Sequence, residues 1–178
     1  MATIPLRQCL AELDQRQANY TQIASFSEAR GCGIRDGVSI NHGLIALDED
    51  ATLTCTTALA LDSFQREVVH PLALSYFGQP VVSMELLGSY ACRGRSGNAG
   101  RLSEHAFGRA VDVAGFRLAD GRVINVTEWY GSTDQARFLR EVARGACRHF
   151  SVVLTPVSDA AHQNHFHLDT GPWPLCEV

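Results

Sequence analysis

The sequence lacks any long apolar segment and any block of basic residues. Its longest apolar runs, such as Ala58–Leu61 and Val152–Leu154, are far too short to span a bilayer. The net charge is −4, and no Lys/Arg cluster exceeds a pair of nearby residues. A nucleic-acid-binding surface needs clustered positive charge, so this pattern argues against one. We therefore expect no membrane span and no nucleic-acid partner.

The chain also lacks internal repeats, low-complexity segments and an obvious linker. Of its 178 residues, 46% are hydrophobic and 19% are charged, which is ordinary for a globular protein and excludes a mostly disordered chain. We interpret residues 1–178 as a single domain that is large enough to bury a core. Within it, residues 1–80 are expected to be mainly helical, and residues 81–178 are expected to hold a sheet, a helix and the functional site.

Closely spaced cysteine pairs, which zinc knuckles and redox motifs require, are missing as well. The cysteines are instead dispersed along the whole chain, at Cys9, Cys32, Cys55, Cys92, Cys147 and Cys176. An even, dispersed set favours three disulfides in an oxidising compartment over the alternative, buried free thiols in a cytosolic protein. The sequence cannot choose among the 15 pairings that six cysteines allow.

The N-terminal stretch MATIPLRQCLAELDQ has neither the apolar core nor the small-residue cleavage site of a secretory signal peptide. A periplasmic or secreted location, which the cysteines favour, therefore requires that an export signal has been removed or that another export route is used.

Apolar periodicity predicts both helices and strands. Helical spacing predicts helices over residues 5–20, 52–78 and 132–150, with a kink or interruption of the second at Pro71 and its end at Gly78. Strands are predicted, in chain order, at Val38–Ile40 and over residues 81–87, 108–118, 123–129, 151–157 and 165–171. The Asp120-Gly121 turn indicates a hairpin, and residues 94–104 are expected to form a loop. Together these elements predict an α+β fold, in which helices flank a small antiparallel sheet that carries a metal site.

The segment LSEHAFGRAVDVAG, residues 102–115, places two good metal ligands, His105 and Asp112, on either side of Gly108. A separation of seven residues would put them on opposite faces of one continuous strand. Gly108 allows the chain to turn before the strand begins, so both side chains can reach one site. The alternative interpretation is a surface turn that leads into a core strand.

A second element, His165-Phe166-His167, lies far down the chain. In a strand, residues i and i+2 point to the same face, so both imidazoles would lie on one side while Phe166 packs on the other. A catalytic zinc ion needs about three protein ligands and one open position for water. Each element alone is more often ordinary surface polarity, but together they supply three ligands and a spare histidine.

These residues carry a resemblance to known families. The segment SEHAFGRAVD is similar to the S-x-H-x-x-G-x-A-x-D motif of zinc D-alanyl-D-alanine peptidases, and HFH is similar to the H-x-H motif of lysostaphin-type peptidoglycan hydrolases. More closely, the chain resembles the bacterial extensin-like C-terminal domain family over about residues 85–178. The stretches that carry this resemblance are GSYACRGR, LSEHAFGRAVDVAGFRLADGR, FLREVARGACRHFSVVL and AHQNHFHLD, together with the cysteine pattern.

The resemblance implies that His105, Asp112 and His167 bind Zn²⁺. It further implies that His165 is the free histidine beside the metal, acting as a general base or stabilising the tetrahedral intermediate. One departure from the pattern concerns the catalytic Glu that several of these peptidases place three residues before a ligand histidine. Asn164 holds that position relative to His167, so the Glu-dependent branch is the poorer match.

Roles are also expected for residues around this set, and that of the first arginine follows from the same resemblance. Arg93 falls where the peptidases keep an arginine that contacts the substrate carbonyl or carboxylate, and Arg95 in the same loop is an alternative. Ser103 is expected to order the loop next to the substrate rather than to attack it. His162 is expected either to line the cleft or to cap the turn before the last strand.

Three functions are consistent with these observations. The first is a zinc-dependent hydrolase of peptidoglycan stem peptides or cross-links, either a D,D-carboxypeptidase or an endopeptidase. The second is a non-catalytic module that binds cell-wall or glycan material on the same fold. The third is a secreted antibacterial toxin with the same hydrolase activity, in which case an immunity protein would be a further partner.

Overall fold

The computed structural model describes residues 4–95 and 97–178. Residues 1–3, in the N-terminal stretch, and residue 96, in the predicted loop, lie outside the described residues. The α-helices of the described chain are α1 (Leu6–Gln15), α2 (Cys55–Phe64), α3 (His70–Phe77) and α4 (Asp134–Ala146). Shorter helical turns lie at Ala29–Gly31, Gln65–Val69, Glu104–Phe107, Val126–Trp129 and Ala160–His162.

The strands alternate with these helices along the chain. The first six strands are β1 (Asn19–Ile23), β2 (Phe26–Ser27), β3 (Gly33–Ile34), β4 (Gly37–His42), β5 (Ala46–Thr54) and β6 (Val81–Gly88). The others are β7 (Gly94–Arg95), β8 (Asn98–Leu102), β9 (Ala110–Leu118), β10 (Val123–Asn125), β11 (Val152–Leu154), β12 (Phe166–Asp169) and β13 (Leu175–Cys176).

Nine of these strands form the main sheet, in the order β1-β4-β5-β6-β9-β12-β11-β13, with β10 also paired to β9. Neighbours run antiparallel except for the parallel pairs β5–β6 and β11–β13. The predicted α+β class is therefore confirmed, but the sheet is larger than expected and is mixed rather than purely antiparallel. The remaining strands form two short pairs, β2–β3 and β7–β8, and the second pair lies in the predicted loop.

Residues 1–80, which are expected to be mainly helical, also contribute strands, because β1, β4 and β5 form one side of the main sheet. The strand signal is hard to recognise there. In β5 the apolar residues that reach the core are interrupted by three consecutive exposed residues, Asp48 to Asp50. In β4 the buried alternation is confined to Val38 and Ile40. Short, interrupted alternation predicts strands poorly.

The predicted long helix over residues 52–78 is present but divided. The α2 helix begins after Thr54, whose hydroxyl accepts a hydrogen bond from the backbone N–H of Thr57. A π-helical turn, Gln65–Val69, joins it to α3, where Pro71 occupies the first turn, a position that tolerates proline. Gly78, in the left-handed conformation, ends α3. The interruption thus lies one turn before the proline.

The helices and the sheet share one core of aromatic and aliphatic side chains. On the α4 face the rings of Phe116 and Phe138 meet edge to face, with centroids 5.6 Å apart. Phe166, fully buried, belongs to the same core. No helix within the described parts of the chain is both long and apolar enough to cross a membrane.

The prediction of three disulfides is confirmed, and the structure gives their pairing. Cys9–Cys55 joins α1 to the start of α2, Cys32–Cys92 joins the segments that precede β3 and follow β6, and Cys147–Cys176 joins the end of α4 to β13. Disulfides persist in oxidising compartments, so this set indicates an oxidising environment.

Candidate metal centre

A short 3₁₀ turn, Glu104–Phe107, presents His105 to the site. The turn begins at Ser103, whose hydroxyl accepts a hydrogen bond from the backbone N–H of His105. It ends at Gly108 with φ of 63°, a left-handed conformation that side chains rarely adopt. A Cβ atom at Gly108 would lie 2.5 Å from Ile34 Cδ1, so close packing requires glycine there as well. The chain then enters β9, as the motif predicts.

Asp112 and His167 are brought together by strand pairing. They lie directly opposite each other in the antiparallel pair of β9 and β12. The Nδ1 atom of His167 is 2.9 Å from Asp112 Oδ1, and the Nε2 atom of His105 is 3.1 Å from Asp112 Oδ2. The two imidazoles meet as well, with His105 Nε2 and His167 Nδ1 separated by 3.2 Å. The structure thus unites the three residues that the sequence proposed as metal ligands.

These three side chains form a group that could hold a metal ion. Zinc bonds of 2.0–2.2 Å in a tetrahedron put ligand atoms about 3.4 Å apart. The observed separations of 2.9–3.2 Å need to open by only a few tenths of an ångström to reach that value. Two imidazole nitrogens and a carboxylate are also a donor set that zinc prefers. The residues therefore fit this ion.

The hydrogen bonds on the far side of each ring support this orientation. His105 Nδ1 donates to the backbone carbonyl of Ser89, and His167 Nε2 donates to the carboxylate of Asp169 at 3.1 Å. These partners hold the ring protons that point away from Asp112, so the nitrogens that face it, His105 Nε2 and His167 Nδ1, are the ones left to bind a metal ion in place of a proton. Metal-binding histidines are commonly oriented in this way, by a carbonyl on one ring and a carboxylate on another.

Electrostatics at the group favour a cation between these residues. Burial alone would raise the pKa of Asp112, but hydrogen bonds from His105 and His167 outweigh it and hold that pKa well below its usual range. Burial alone would lower the pKa of His167, but its bonds to Asp112 and Asp169 raise it to about 9. The site thus stabilises positive charge between its carboxylates, and a metal cation would supply such charge in place of a proton.

His165 and His162 lie next to this group. His165 directly precedes β12, and its Nε2 atom is 3.7 Å from Asp112 Oδ1. Burial is the main cause that lowers the pKa of His165, so its imidazole is neutral at pH 7. The ring of His162 is centred 5.1 Å from that of His165, and its Nδ1 atom is 2.8 Å from Asp159 Oδ1. His162 therefore lies beside the histidines of the site and also contacts Asp159 within the turn that precedes β12.

The two predicted arginines have different surroundings. The Nη2 atom of Arg93 is 3.6 Å from Asp112 Oδ2, and its half-exposed side chain lies beside the metal-binding group. Arg95 instead pairs with the buried carboxylate of Glu104, which also binds Arg109. Arg93 thus lies beside the metal-binding group, whereas Arg95 pairs with Glu104. Ser103 is buried and caps the turn before His105.

Sequence reasoning missed Asp169, although a usable signal exists. It follows His167 by two residues in β12, so both side chains lie on one face of the strand. The carbonyl of Ser89 has no comparable sequence signal, because it is a backbone group that the fold brings to the ring of His105.

Comparison with known protein families matches most of the chain. The sequence model of a family described as "Extensin-like protein C-terminus" matches residues 7–177. No curated protein and no solved structure matches the chain significantly. The match extends well beyond residues 85–178, so it includes the first strands and α1.

Proposed function

The chain belongs to the extensin-like protein C-terminus family, and from that premise we propose that it is a zinc-dependent hydrolase of peptidoglycan stem peptides or cross-links. The reaction is hydrolysis of an amide bond, as in a D,D-carboxypeptidase or an endopeptidase. The observation that carries the proposal is the convergence of His105, Asp112 and His167, with a free imidazole, His165, beside them. The motif resemblance to zinc peptidases supplies the substrate class.

Each residue of the site has a part in this reaction. His105, Asp112 and His167 would hold Zn²⁺, which when bound polarises a carbonyl and makes water a better nucleophile at neutral pH. His165 is neutral and accepts a proton from the attacking water. As the carbon–nitrogen bond breaks, the same imidazole returns that proton to the leaving amine. Arg93 offers its guanidinium to the carbonyl oxygen or to a terminal carboxylate of the substrate.

Location follows from the same proposal. Peptidoglycan lies outside the cytoplasmic membrane, and the three disulfides fit an oxidising compartment. We therefore place the protein in the periplasm or among secreted proteins, with peptidoglycan peptides as its partner.

Two measurements on the full chain test the proposal. Metal analysis of the purified protein should find about one zinc per chain, and His105→Ala should lose it. Mass spectrometry of muropeptides after incubation should show new hydrolysis products with the wild type. With His165→Ala, the rate at which these products form should fall by about 10²-fold or more. Asp134→Asn, an exposed change on α4, is a control that should retain both properties. The proposed hydrolase function would be contradicted if the wild-type protein held no zinc, or if it bound zinc but cleaved no muropeptide.

A binding module is the second candidate, favoured by the position of Asn164. It stands three residues before His167, where several of the zinc peptidases that the motif resembles carry a catalytic Glu. A module of this kind would sediment with purified sacculi and leave muropeptides intact. Release of soluble fragments from the same sacculi would exclude it.

A further inference from the structure

Asp169 is a buried carboxylate directly behind one of the proposed zinc ligands. It is only 4% exposed, and its Oδ2 atom accepts the hydrogen bond from His167 Nε2 at 3.1 Å. Its backbone lies within the sheet, paired with Ala110 on one side and Val152 on the other. Both ends of this contact therefore stand on one short strand in the middle of the sheet.

The second oxygen of Asp169 is fixed as well. Oδ1 accepts a hydrogen bond from the backbone N–H of Gly171 at 2.8 Å. A Cβ atom at Gly171 would lie 3.0 Å from that oxygen and 2.8 Å from Glu104 Cδ, so glycine permits this close approach. The carboxylate is thus oriented by its own chain, without help from a flexible side chain.

His167 is the only cationic partner of Asp169 within 4.0 Å among residues 4–95 and 97–178. The two nearby arginines, Arg95 and Arg109, pair with Glu104 instead. Within the described residues, no arginine therefore competes with the imidazole for the Asp169 carboxylate. With Asp112 it provides two negative charges around the proposed metal position, which balance those of a divalent cation.

We infer that Asp169 is a positioning residue for the metal, which holds the Nε2 proton of His167 so that Nδ1 presents its lone pair to zinc. The inference rests on the proposed function, because it requires that zinc binds at His105, Asp112 and His167. Carboxylates behind ligand histidines contribute about 10- to 100-fold to metal affinity.

The variant Asp169→Asn tests the inference because it changes the chemistry and keeps the shape. If the amide oxygen accepts the Gly171 N–H as the carboxylate does, the amide NH₂ faces His167 Nε2. A donor there favours the other tautomer, with the proton on Nδ1, where zinc should bind. A merely structural role would lower stability but would not change the nitrogen that carries the proton.

The experiment measures zinc affinity by competition with a chromophoric chelator. For Asp169→Asn we expect a Kd about 10- to 100-fold higher than for the wild type. Asp134→Asn removes a charge far from the site and should keep the wild-type Kd. Gly171→Ala retains the carboxylate but crowds it, and should give an intermediate Kd. If Asp169→Asn fails to fold, the zinc Kd of Gly171→Ala tests the inference in its place.

Nitrogen-15 spectra of histidine-labelled, zinc-loaded protein supply the second readout. The wild type should show His167 bound through Nδ1 and protonated at Nε2, and Asp169→Asn should weaken or lose that signature. A wild-type protein that binds no zinc overturns the proposed function and this inference with it. A wild type that binds zinc, together with Asp169→Asn of equal affinity and an unchanged signature, overturns the inference alone.

Discussion

His105 and His167 are 62 residues apart in the chain, yet His105 Nε2 and His167 Nδ1 lie 3.2 Å apart. Their other ring nitrogens donate to Ser89 and Asp169, so the facing nitrogens present lone pairs to each other. Two lone pairs at this distance repel unless a proton or a cation lies between them. Burial lowers the pKa of His167, but its contacts with Asp112 and Asp169 raise it to about 9, so a proton occupies this position in the metal-free group.

Zinc should therefore stabilise the fold. Because it binds the native group and not the unfolded chain, free zinc at 100 times Kd adds about 2.7 kcal/mol to the free energy of unfolding. We expect added zinc to raise Tm and a chelator to reverse the effect. Asp112→Asn should remove most of the zinc-dependent change, because the remaining ligands are the two imidazoles. Differential scanning calorimetry with and without zinc checks this, and an equal shift in Asp112→Asn would contradict it.

Gly108→Ala should destabilise the protein and weaken the site together. The left-handed φ of 63° costs an alanine about 1 kcal/mol, and the added Cβ would lie 2.5 Å from Ile34 Cδ1. Relief of that contact adds about 1–3 kcal/mol and displaces the turn that carries His105. Urea unfolding should show the lower free energy of unfolding, and zinc titration should show the weaker zinc affinity.

Gly78→Ala is the matched control for this prediction. Gly78 has nearly the same φ, 67°, but a Cβ there would meet nothing within 4 Å. The Gly78→Ala variant should lower the free energy of unfolding by about 1 kcal/mol through backbone strain and leave zinc affinity unchanged. Equal effects of the two variants would show that packing around Gly108 has no influence on the site.

Arg93→Ala and Arg95→Ala should separate catalysis from stability. Arg93 is half-exposed beside Asp112, so its loss should change the free energy of unfolding by less than about 0.5 kcal/mol. The kcat/KM of Arg93→Ala for muropeptide hydrolysis should fall by about 10²-fold. The loss should be in kcat if Arg93 contacts the carbonyl oxygen of the substrate, and mainly in KM if Arg93 contacts a terminal carboxylate. Arg95→Ala should lower stability by about 1 kcal/mol, since Arg109 still pairs with Glu104. If Arg95→Ala lost hydrolysis while Arg93→Ala lost only stability, the proposed roles of the two arginines would be contradicted.

The Cys32–Cys92 disulfide should matter to the site as well as to the fold. It closes a loop over 60 residues, and its removal should lower the free energy of unfolding by about 4 kcal/mol in the chain-entropy model. Cys92 also lies between Ala91, whose N–H donates to the His105 carbonyl, and Arg93. The double Ser variant should therefore weaken zinc binding in a titration under conditions where the fold persists.

The Cys147–Cys176 disulfide provides the comparison. It spans 29 residues and should contribute a similar amount, about 3.5 kcal/mol, to stability. It lies at the end of α4 and the sheet edge, away from the metal-binding group. Its double Ser variant should keep the wild-type zinc Kd, and an equal loss in both variants would indicate only general destabilisation.

Local rules account for the parts of the site that the sequence could predict. The spacing of His105, Gly108 and Asp112 depends on one turn and one strand, and the pairing of His165 with His167 follows from alternation. The register that sets His167 opposite Asp112 could not be predicted, because it depends on pairing between strands more than 50 residues apart. Disulfide partners remained open for the same reason.

Other errors arose where polar residues hide a local pattern. The exposed acidic residues at the middle of β5 obscure its alternation. The strand predicted over residues 123–129 ends at Asn125, because Asn125 and Glu128 form a capping box that starts a 3₁₀ turn. That box is visible in the sequence as N-V-T-E, but the β-branched residues around it favoured a strand.

His149 should make the stability of the protein depend on pH. Its Nε2 atom is buried without a hydrogen-bond partner among the described residues, and burial is the main cause that lowers the pKa of this imidazole below its usual 6.5. The unfolded chain therefore binds a proton more readily than the folded chain. Stability is fully present above pH 6.5 and is lost as the pH falls through the lower, folded-state pKa.

Urea unfolding from pH 5.5 to 8 tests whether the free energy of unfolding falls as the pH is lowered. His149→Phe removes the titrating group and should flatten the dependence relative to the wild type. Glu67→Gln should steepen it, because the Glu67 carboxylate, 3.7 Å from His149 Nε2, partly offsets the effect of burial. The protons bound by all other groups cancel to first order in the difference between each variant and the wild type. An unchanged slope in His149→Phe would show that this imidazole is as easily protonated in the fold as in the unfolded chain.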